Sequence, residues 1–275
     1  MVTVSRTDGL AGSCTGVVKI YWSASGEVNA LKGIDAAFPT AAVTALVGPS
    51  GSGKSSLLRI LACIDRPTAG QVRIGDVEVA GLSAGKRRKV RRSSLGYVFQ
   101  QPSDNLIPYL TAAEHLETAA RLRGGERREE ARELLETLGL AARAAHTPEQ
   151  LSGGEQQRLA LASAVIGGPS LVLADEPTAE LDSRSGTHLM GLMTELAARG
   201  ISFVVATHDP VVMGAADRIL HLRHGALEAE TKETRVLSVI DAAGRIQLPP
   251  AALKLFPDHR AQIVLEDGEV RITPP

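Results

Sequence analysis

The sequence predicts an α/β fold built on a mostly parallel sheet, on three observations. Short, almost wholly apolar runs at Val43 to Val47, Leu171 to Ala174 and Phe203 to Ala206 have the composition of strands buried on both faces. Amphipathic segments lie between them, the alternation that places helices on the faces of a sheet. A glycine-rich turn, Gly48-Pro-Ser-Gly-Ser-Gly-Lys-Ser55, joins the first apolar run to a segment with helical spacing of apolar residues.

Composition narrows the function classes. A chain of 275 residues has room for one large domain and a small appendage, and 44% hydrophobic with 22% charged residues describes an ordinary packed core. The formal charge of -1 offers no bulk attraction to nucleic acid, and 3% aromatic residues weaken any reading that needs stacking platforms for single strands. Cys14 and Cys63 are far apart with no CxxC spacing, which predicts a reduced, cytoplasmic setting. The start, Met-Val-Thr-Val-Ser-Arg, carries no apolar signal segment, and no run approaches the roughly 18 apolar residues that span a bilayer. A membrane role is therefore expected to come through a partner.

Gly48 to Ser55 fits GxxxxGK[ST] in the required context, after the strand ending at Val47 and before the helix carrying Leu57, Leu58, Ile60 and Leu61. Gly48, Gly51 and Gly53, with Ser50 and Ser52 between them, let backbone N–H groups turn inward around phosphate oxygens. The following helix, opening through Ser55 and Ser56, aims its positive end at the same anion, and Lys54 adds a point charge. Ser55 offers a hydroxyl to Mg²⁺. A connecting loop without a ligand is the bland alternative, and the motif alone does not choose among kinases, GTPases and ATPases.

Downstream, the basic run Lys86 to Lys89 with Arg91 and Arg92 reads as a solvated face, with anionic lipid as a second reading. The region from about Gln100 to Val165 lacks a convincing buried strand and predicts an inserted helical subdomain. Within it Ala131, Leu134, Leu135 and Leu138 share one face, while Arg127 to Glu130 open that helix in water. Leu151-Ser-Gly-Gly-Glu-Gln-Gln-Arg158 contains a capping box, Ser152 with Glu155, that starts a helix. Preceded by Gly153 and Gly154, that helix is also an anion site, and a second phosphate-directed helix suggests a nucleotide bound to another copy. Next, Leu171-Val-Leu-Ala-Asp175-Glu176-Pro-Thr is a strand ending in two acids: Asp175 is placed to hold Mg²⁺ and Glu176 to orient the attacking water. Two acids before a proline also simply close a strand in a solvated turn.

In this order the motifs resemble those of ATP-binding-cassette ATPases, from roughly Val17 to Leu227; LSGGEQQR is similar to that family's signature. The resemblance implies a P-loop cassette with a mostly parallel core sheet, an antiparallel β subdomain and the inserted helical subdomain. It further implies that Gln100 meets Mg²⁺ and faces a membrane partner, that His208 senses the γ-phosphate, and that Asp182 crosses a dimer interface. Tyr21 matches the aromatic that stacks on adenine, and the adjacent Trp22 is placed to do the same. Expected, then, is a homodimer closing head to tail on two Mg-ATP molecules, peripheral on the inner face of the cell membrane. Its partners would be integral membrane permease subunits, and nucleic acid is not expected among them.

The pieces Ile60 to Gly70, Gly96 to Gln100 and Asn105 to Thr111 are most similar to ATPases of macrolide-export and lipoprotein-release systems, implying export or extraction. Glu180 stands where the family usually carries a small or neutral residue, and the stretch from Phe38 lacks the usual glycine before the cradle strand. Force transmission to a membrane or cell-wall complex, or DNA-linked regulation, are the rival readings.

After about residue 230 the texture changes, and 1–230 and 231–275 are expected to be separate units. Asp241 to Pro249 resembles the start of the swapped-hairpin fold of AbrB-like transition regulators, with Glu266 to Glu269 as a hairpin turn. Acidic and basic residues are equal in number there, which suits a dimer clamp better than a phosphate-binding surface.

Overall fold

A computed structural model describes residues 9–23, 26–232, 235–238, 255–256, 260–266 and 269–273. Two long strands, β1 (Leu10–Ser23) and β2 (Gly26–Pro39), pair antiparallel. β3 (Val43–Val47) and α1 (Lys54–Leu61) follow, and β4 (Ala69–Ile74) and β5 (Val77–Glu78) return to the first pair, giving an antiparallel sheet ordered β2-β1-β4-β5. The chain continues through α2 (Ala84–Ser94), β6 (Leu95–Val98), α3 (Ala112–Leu122), α4 (Arg128–Thr137) and α5 (Gly153–Val165). Then come β7 (Leu171–Asp175), α6 (Ser183–Ala198), β8 (Phe203–Thr207), α7 (Pro210–Ala215), β9 (Arg218–Arg223), β10 (Ala226–Lys232) and β11 (Arg235–Ser238). A second sheet has the order β11-β10-β9-β3-β8-β7-β6, parallel from β9 to β6 and antiparallel at the β10–β11 edge.

The apolar runs become central strands because both their faces are covered. Phe203 and Val205 of β8 enter the core shared with α5, α6 and the helical insertion. Val204 and Ala206 enter the opposite core, with α1 and the antiparallel sheet. β7 divides in the same way, Val172 and Ala174 to one side, Leu171 and Leu173 to the other. The insertion also forms as expected: among the described residues no strand lies between Val98 and Leu171, and Ala131, Leu134, Leu135 and Leu138 are buried.

Pattern alone does not reveal β1 and β2, whose pairing is interrupted by register shifts that break their alternation. Nor does it reveal β6, where Gly96 interrupts the apolar run. An added Cβ there would lie 2.3 Å from the carbonyl oxygen of Ala164, so glycine permits α5 to pack directly on the strand.

One boundary differs from expectation. β11 pairs with β10 from Lys232↔Arg235 to Ala229↔Ser238, so the large sheet extends past residue 230. A separate hairpin forms from β12 (Gln262–Glu266) and β13 (Glu269–Thr273). The segment Asp241 to Pro249 and the turn at Asp267 and Gly268 lie outside the described residues.

Candidate nucleotide site

At the carboxyl end of β3 the chain turns through Gly48 to Gly53 and enters α1. Gly48 is forced by close approach: a Cβ would stand 2.0 Å from the carbonyl oxygen of Leu222 in β9. Gly53 caps α1 with φ 107 and Gly51 has φ 76, backbone that side chains rarely adopt. The first intrahelical bond runs from the Leu57 N–H to the Gly53 oxygen, leaving the N–H groups before it directed out of the helix end. Lys54 Nζ donates to the carbonyl oxygens of Gly48 at 2.7 Å and Pro49 at 3.3 Å, folding its cation over the loop. Ser50 and Gly51 are exposed at the loop's tip, whereas Ser52 is buried beneath it. Ser56 lies on α1, and its hydroxyl interacts with Tyr21.

β7 delivers two acids beside this loop. The Ser55 hydroxyl donates to Asp175 Oδ1 at 3.3 Å. Burial raises the Asp175 carboxyl above its ordinary range, a shift opposed by the Ser55 hydroxyl and reinforced by the negative charge of Glu176. Glu176 adopts φ 46, an uncommon conformation for a side-chain-bearing residue, and its N–H bonds to the Ala206 oxygen at 2.9 Å. Its Oε1 lies 3.0 Å from His208 Nδ1, joining the end of β7 to the turn after β8. The Glu176 side chain is 16% exposed and that of His208 77%, so a sheltered carboxylate is tied to a ring reaching into solvent.

Tyr21 is anchored rather than free. Its hydroxyl donates to Asp65 at 3.1 Å, Arg59 Nε donates to the same carboxylate at 2.9 Å, and Lys19 Nζ sits 4.7 Å from the ring centre. The Arg59 guanidinium holds Asp65 below the usual carboxylate range, and burial raises the Tyr21 phenol. Trp22 is 77% exposed, so the two adjacent rings differ sharply in access to solvent.

Ser152, Gly153, Gly154 and Asp182 gather elsewhere. The Ser152 side chain caps α5 by accepting from Glu155 N, while Glu155 Oε2 accepts from Ser152 N at 2.8 Å. The Ser152 N–H and then the Ser152 hydroxyl, which donates to the same Oε2 at 2.8 Å, hold the Glu155 carboxyl down to about 2. Asp182 caps α6 by accepting from the N–H groups of Arg184 and Ser185, both at 3.0 Å. A Cβ on Gly154 would lie 3.3 Å from Ser185 Oγ, so the two helix starts adjoin. Among the described residues no hydrogen bond or ion pair links this cluster to Lys54, Ser55 or His208.

Gln100 is exposed on the loop after β6. Sequence reasoning missed what shapes that loop: Asn105 accepts from Phe99 N and donates to Tyr97 O, both at 2.8 Å, and Gln157 Nε2 donates to Phe99 O at 3.3 Å. A cleft of about 260 Å³ lies beside it, lined by Gln101, Pro102, Gly153, Gln156, Pro177 and Glu180. Also unforeseen is the bond from the Thr178 hydroxyl to Asp209 at 2.7 Å, which ties the acidic turn to the cap of α7. A lone Asn or Thr in a turn gives no sequence signal strong enough to single it out.

A glycine turn at the start of α1 with Lys54 folded over it, a strand-end acid pair and a second, capped helix start are thus assembled on one α/β frame. The family profile described as ABC transporter matches residues 31–179. The chain belongs to this family. This ABC cassette is 42% identical over 220 residues to the macrolide export ATP-binding/permease protein MacB 1/2 of Paracoccus denitrificans, covering 79% of this chain and 33% of that protein. It is also 42% identical over 225 residues to the pyoverdine export ATP-binding/permease protein PvdT of Pseudomonas fluorescens, covering 80% and 34%. The chain therefore spans about a third of the length of these curated relatives. Among solved structures it is similar to the ATP-binding cassette MJ0796 in a dimeric post-hydrolysis state bound to ADP and Pi. The TM-score is 0.72 at 39% identity, with 80% of this chain and 98% of that one covered. As an ABC cassette, the chain is an ATP-binding ATPase.

Proposed function

We propose that two copies of the chain close head to tail over two Mg-ATP molecules, and that opening and closing drive export or extraction through a separate membrane permease. The observation that carries this reading is the division of anion-directed features. The cradle with Asp175, Glu176 and His208 forms one cluster, and the capped start of α5 with Asp182 forms another, each incomplete around a nucleotide. The relatives' printed names, export ATP-binding/permease proteins, support the permease partner and the export role, and this reading puts the chain at the inner face of the cell membrane.

Gly48 to Ser56 hold the phosphates through backbone N–H groups and Lys54. Tyr21 or Trp22 covers the base. Ser55, Asp175 and Gln100 present a hydroxyl, a carboxylate and an amide oxygen, the hard oxygen donors that suit Mg²⁺, and the half-buried Asp175 anion is favoured by a cation beside it. Bound with ATP, Mg²⁺ supplies neutralisation of phosphate charge. Glu176 accepts the hydrogen bond of the attacking water, and His208, fixed on Glu176 Oε1, offers its other ring nitrogen toward the γ-phosphate. Ser152, Gly153 and Gly154 of the second copy complete the anion's shell, and Asp182 positions the loop that crosses between copies.

The C-terminal hairpin is assigned as a second dimer contact. Ile263 and Val270 are 65% and 60% exposed on a two-stranded sheet, which alone is marginally stable in water. The test is sedimentation of chains carrying Glu176→Gln. A chain ending at Ser238 is expected to dimerise only with Mg-ATP, and the full chain with or without it. If the shortened variant stays monomeric in Mg-ATP while binding nucleotide, the composite site is refuted. A full chain that is monomeric without nucleotide refutes the hairpin contact.

A further inference from the structure

We propose that the outward face of α2 is an electrostatic landing surface for anionic phospholipid headgroups. Lys86, Arg88, Lys89 and Arg92 are exposed and occupy one continuous arc of this helix at 100° per residue. No residue of α2 is buried, and none is acidic. Among the described residues no ion pair includes its cations.

Folding does not account for these side chains. The helix starts without a side-chain cap, has no acid in its first turn, and carries Lys86 and Arg87 there, where the helix dipole disfavours positive charge, while Arg91 and Arg92 lie in its last turn, where the dipole favours it. Lys86 with Lys89, Arg88 with Arg92, and Lys89 with Arg92 are like-charge pairs at neighbouring positions, which weaken a helix. Its inner side adds little: Arg91 reaches the Cys63 oxygen at 3.3 Å, while Arg87 Nε and Nη1 are covered without a hydrogen-bond partner. A sequence that opposes its own local stability at so many adjacent positions is balanced by an external anion.

The shape of the surface selects which anion. The arc is convex, and its four side chains are long and not oriented by neighbouring groups, so it suits a diffuse field of many negative charges rather than one enclosed phosphate. An acidic membrane surface is such a field, attracting clustered cations additively within a Debye length. The inference rests on the proposed function only in placing the chain beside a membrane.

The test uses the full chain and vesicles of phosphatidylcholine, alone or mixed with phosphatidylglycerol. Wild-type chain is expected to co-sediment with the mixed vesicles only, and to be released as salt rises. Combined Lys86→Gln, Arg88→Gln, Lys89→Gln and Arg92→Gln should weaken that binding on the order of a hundredfold or more, given the usual worth of each surface cation. A control with Arg128→Gln and Arg132→Gln, exposed on α4, should bind like wild type. ATP turnover without vesicles should be unchanged in both, and the unfolding midpoint of the fourfold variant should be equal or higher, because repulsion has been relieved. Equal binding to both vesicle types, or wild-type binding by the fourfold variant, overturns the proposal. So does retention of the wild type only by a permease's acidic segment and never by lipid. Vesicle binding by the wild type with no dimerisation of its Glu176→Gln variant in Mg-ATP would instead count against the proposed function alone.

Discussion

Gly96→Ala isolates the seam between β6 and α5 from every chemical group of the site. The new Cβ would stand 2.3 Å from the Ala164 oxygen and 3.2 Å from the Ala164 Cβ. Restoring ordinary contact requires about 1 Å of separation between strand and helix, and such a gap already forfeits a quarter to a half of each dispersion contact across it. Nothing at the seam is a flexible side-chain end that could swing away, because the nearest atom is backbone. Overpacking of this kind sits at or above the upper end of its usual range, about 3 kcal/mol. For a domain of this size, that lowers the unfolding midpoint by about 6 to 12 °C. Thermal unfolding followed by far-UV circular dichroism, with Gly191→Ala on α6 as a control where a Cβ meets open space, measures it directly. A Gly96→Ala midpoint within about 2 °C of wild type would show that α5 does not rest on β6 as described.

Other changes separate roles that the site combines. If Tyr21 covers the base, Tyr21→Phe keeps ATP affinity and Tyr21→Ala loses roughly tenfold, the worth of one good aromatic stack; the same pattern at Trp22 alone would transfer the role, as nucleotide titration by fluorescence would show. Truncation after Ser238 should leave the cassette's unfolding midpoint within a few degrees, whereas truncation after Glu230 removes β11 and part of β10 and should lower it clearly in calorimetry. Glu155 is depressed to about 2 by its bonds to Ser152, so its contribution to stability is complete above its ordinary range near 4.5 and is lost as pH falls through about 2. Glu155→Gln should therefore flatten the acid limb of a stability-against-pH curve, and an unchanged limb would refute the capping geometry.

The parts legible in the sequence are those whose physics is local. The cradle requires glycines at fixed offsets from a lysine, β3, β7 and β8 require apolar faces on both sides, and the α5 cap requires Ser152 and Glu155 three apart. Long-range features were less visible. Asn105 shapes the Gln100 loop through two backbone groups, and Thr178 holds Asp209 across 31 positions, yet neither residue type marks its partner in the sequence. The extension of the sheet through β11 was hidden for another reason: an antiparallel edge strand of four residues has too few positions to display a period.

The second anion-directed helix also raises an electrostatic difficulty that the structure resolves. Glu155 is held close to the start of α5, and a carboxylate there stabilises the free helix by opposing its positive end. Left alone, that charge would repel an incoming γ-phosphate. Arg143 lies 3.1 Å from Glu155 Oε1, in the segment between α4 and α5, and donates to it. The carboxylate is thus shared by Ser152 on one side and a guanidinium on the other, so the cap is retained while its charge is offset. Arg143, earlier in the helical insertion, therefore supplies the start of α5 with a countercharge, which under the proposed function would let a well-capped helix still receive an anion. In the proposed dimer, movement of the Arg143 segment relative to α5 would alter the charge that Ser152, Gly153 and Gly154 present to the other copy's nucleotide. Under that proposal, a partner pressing on the Arg143 segment would reach the composite site without touching the cradle.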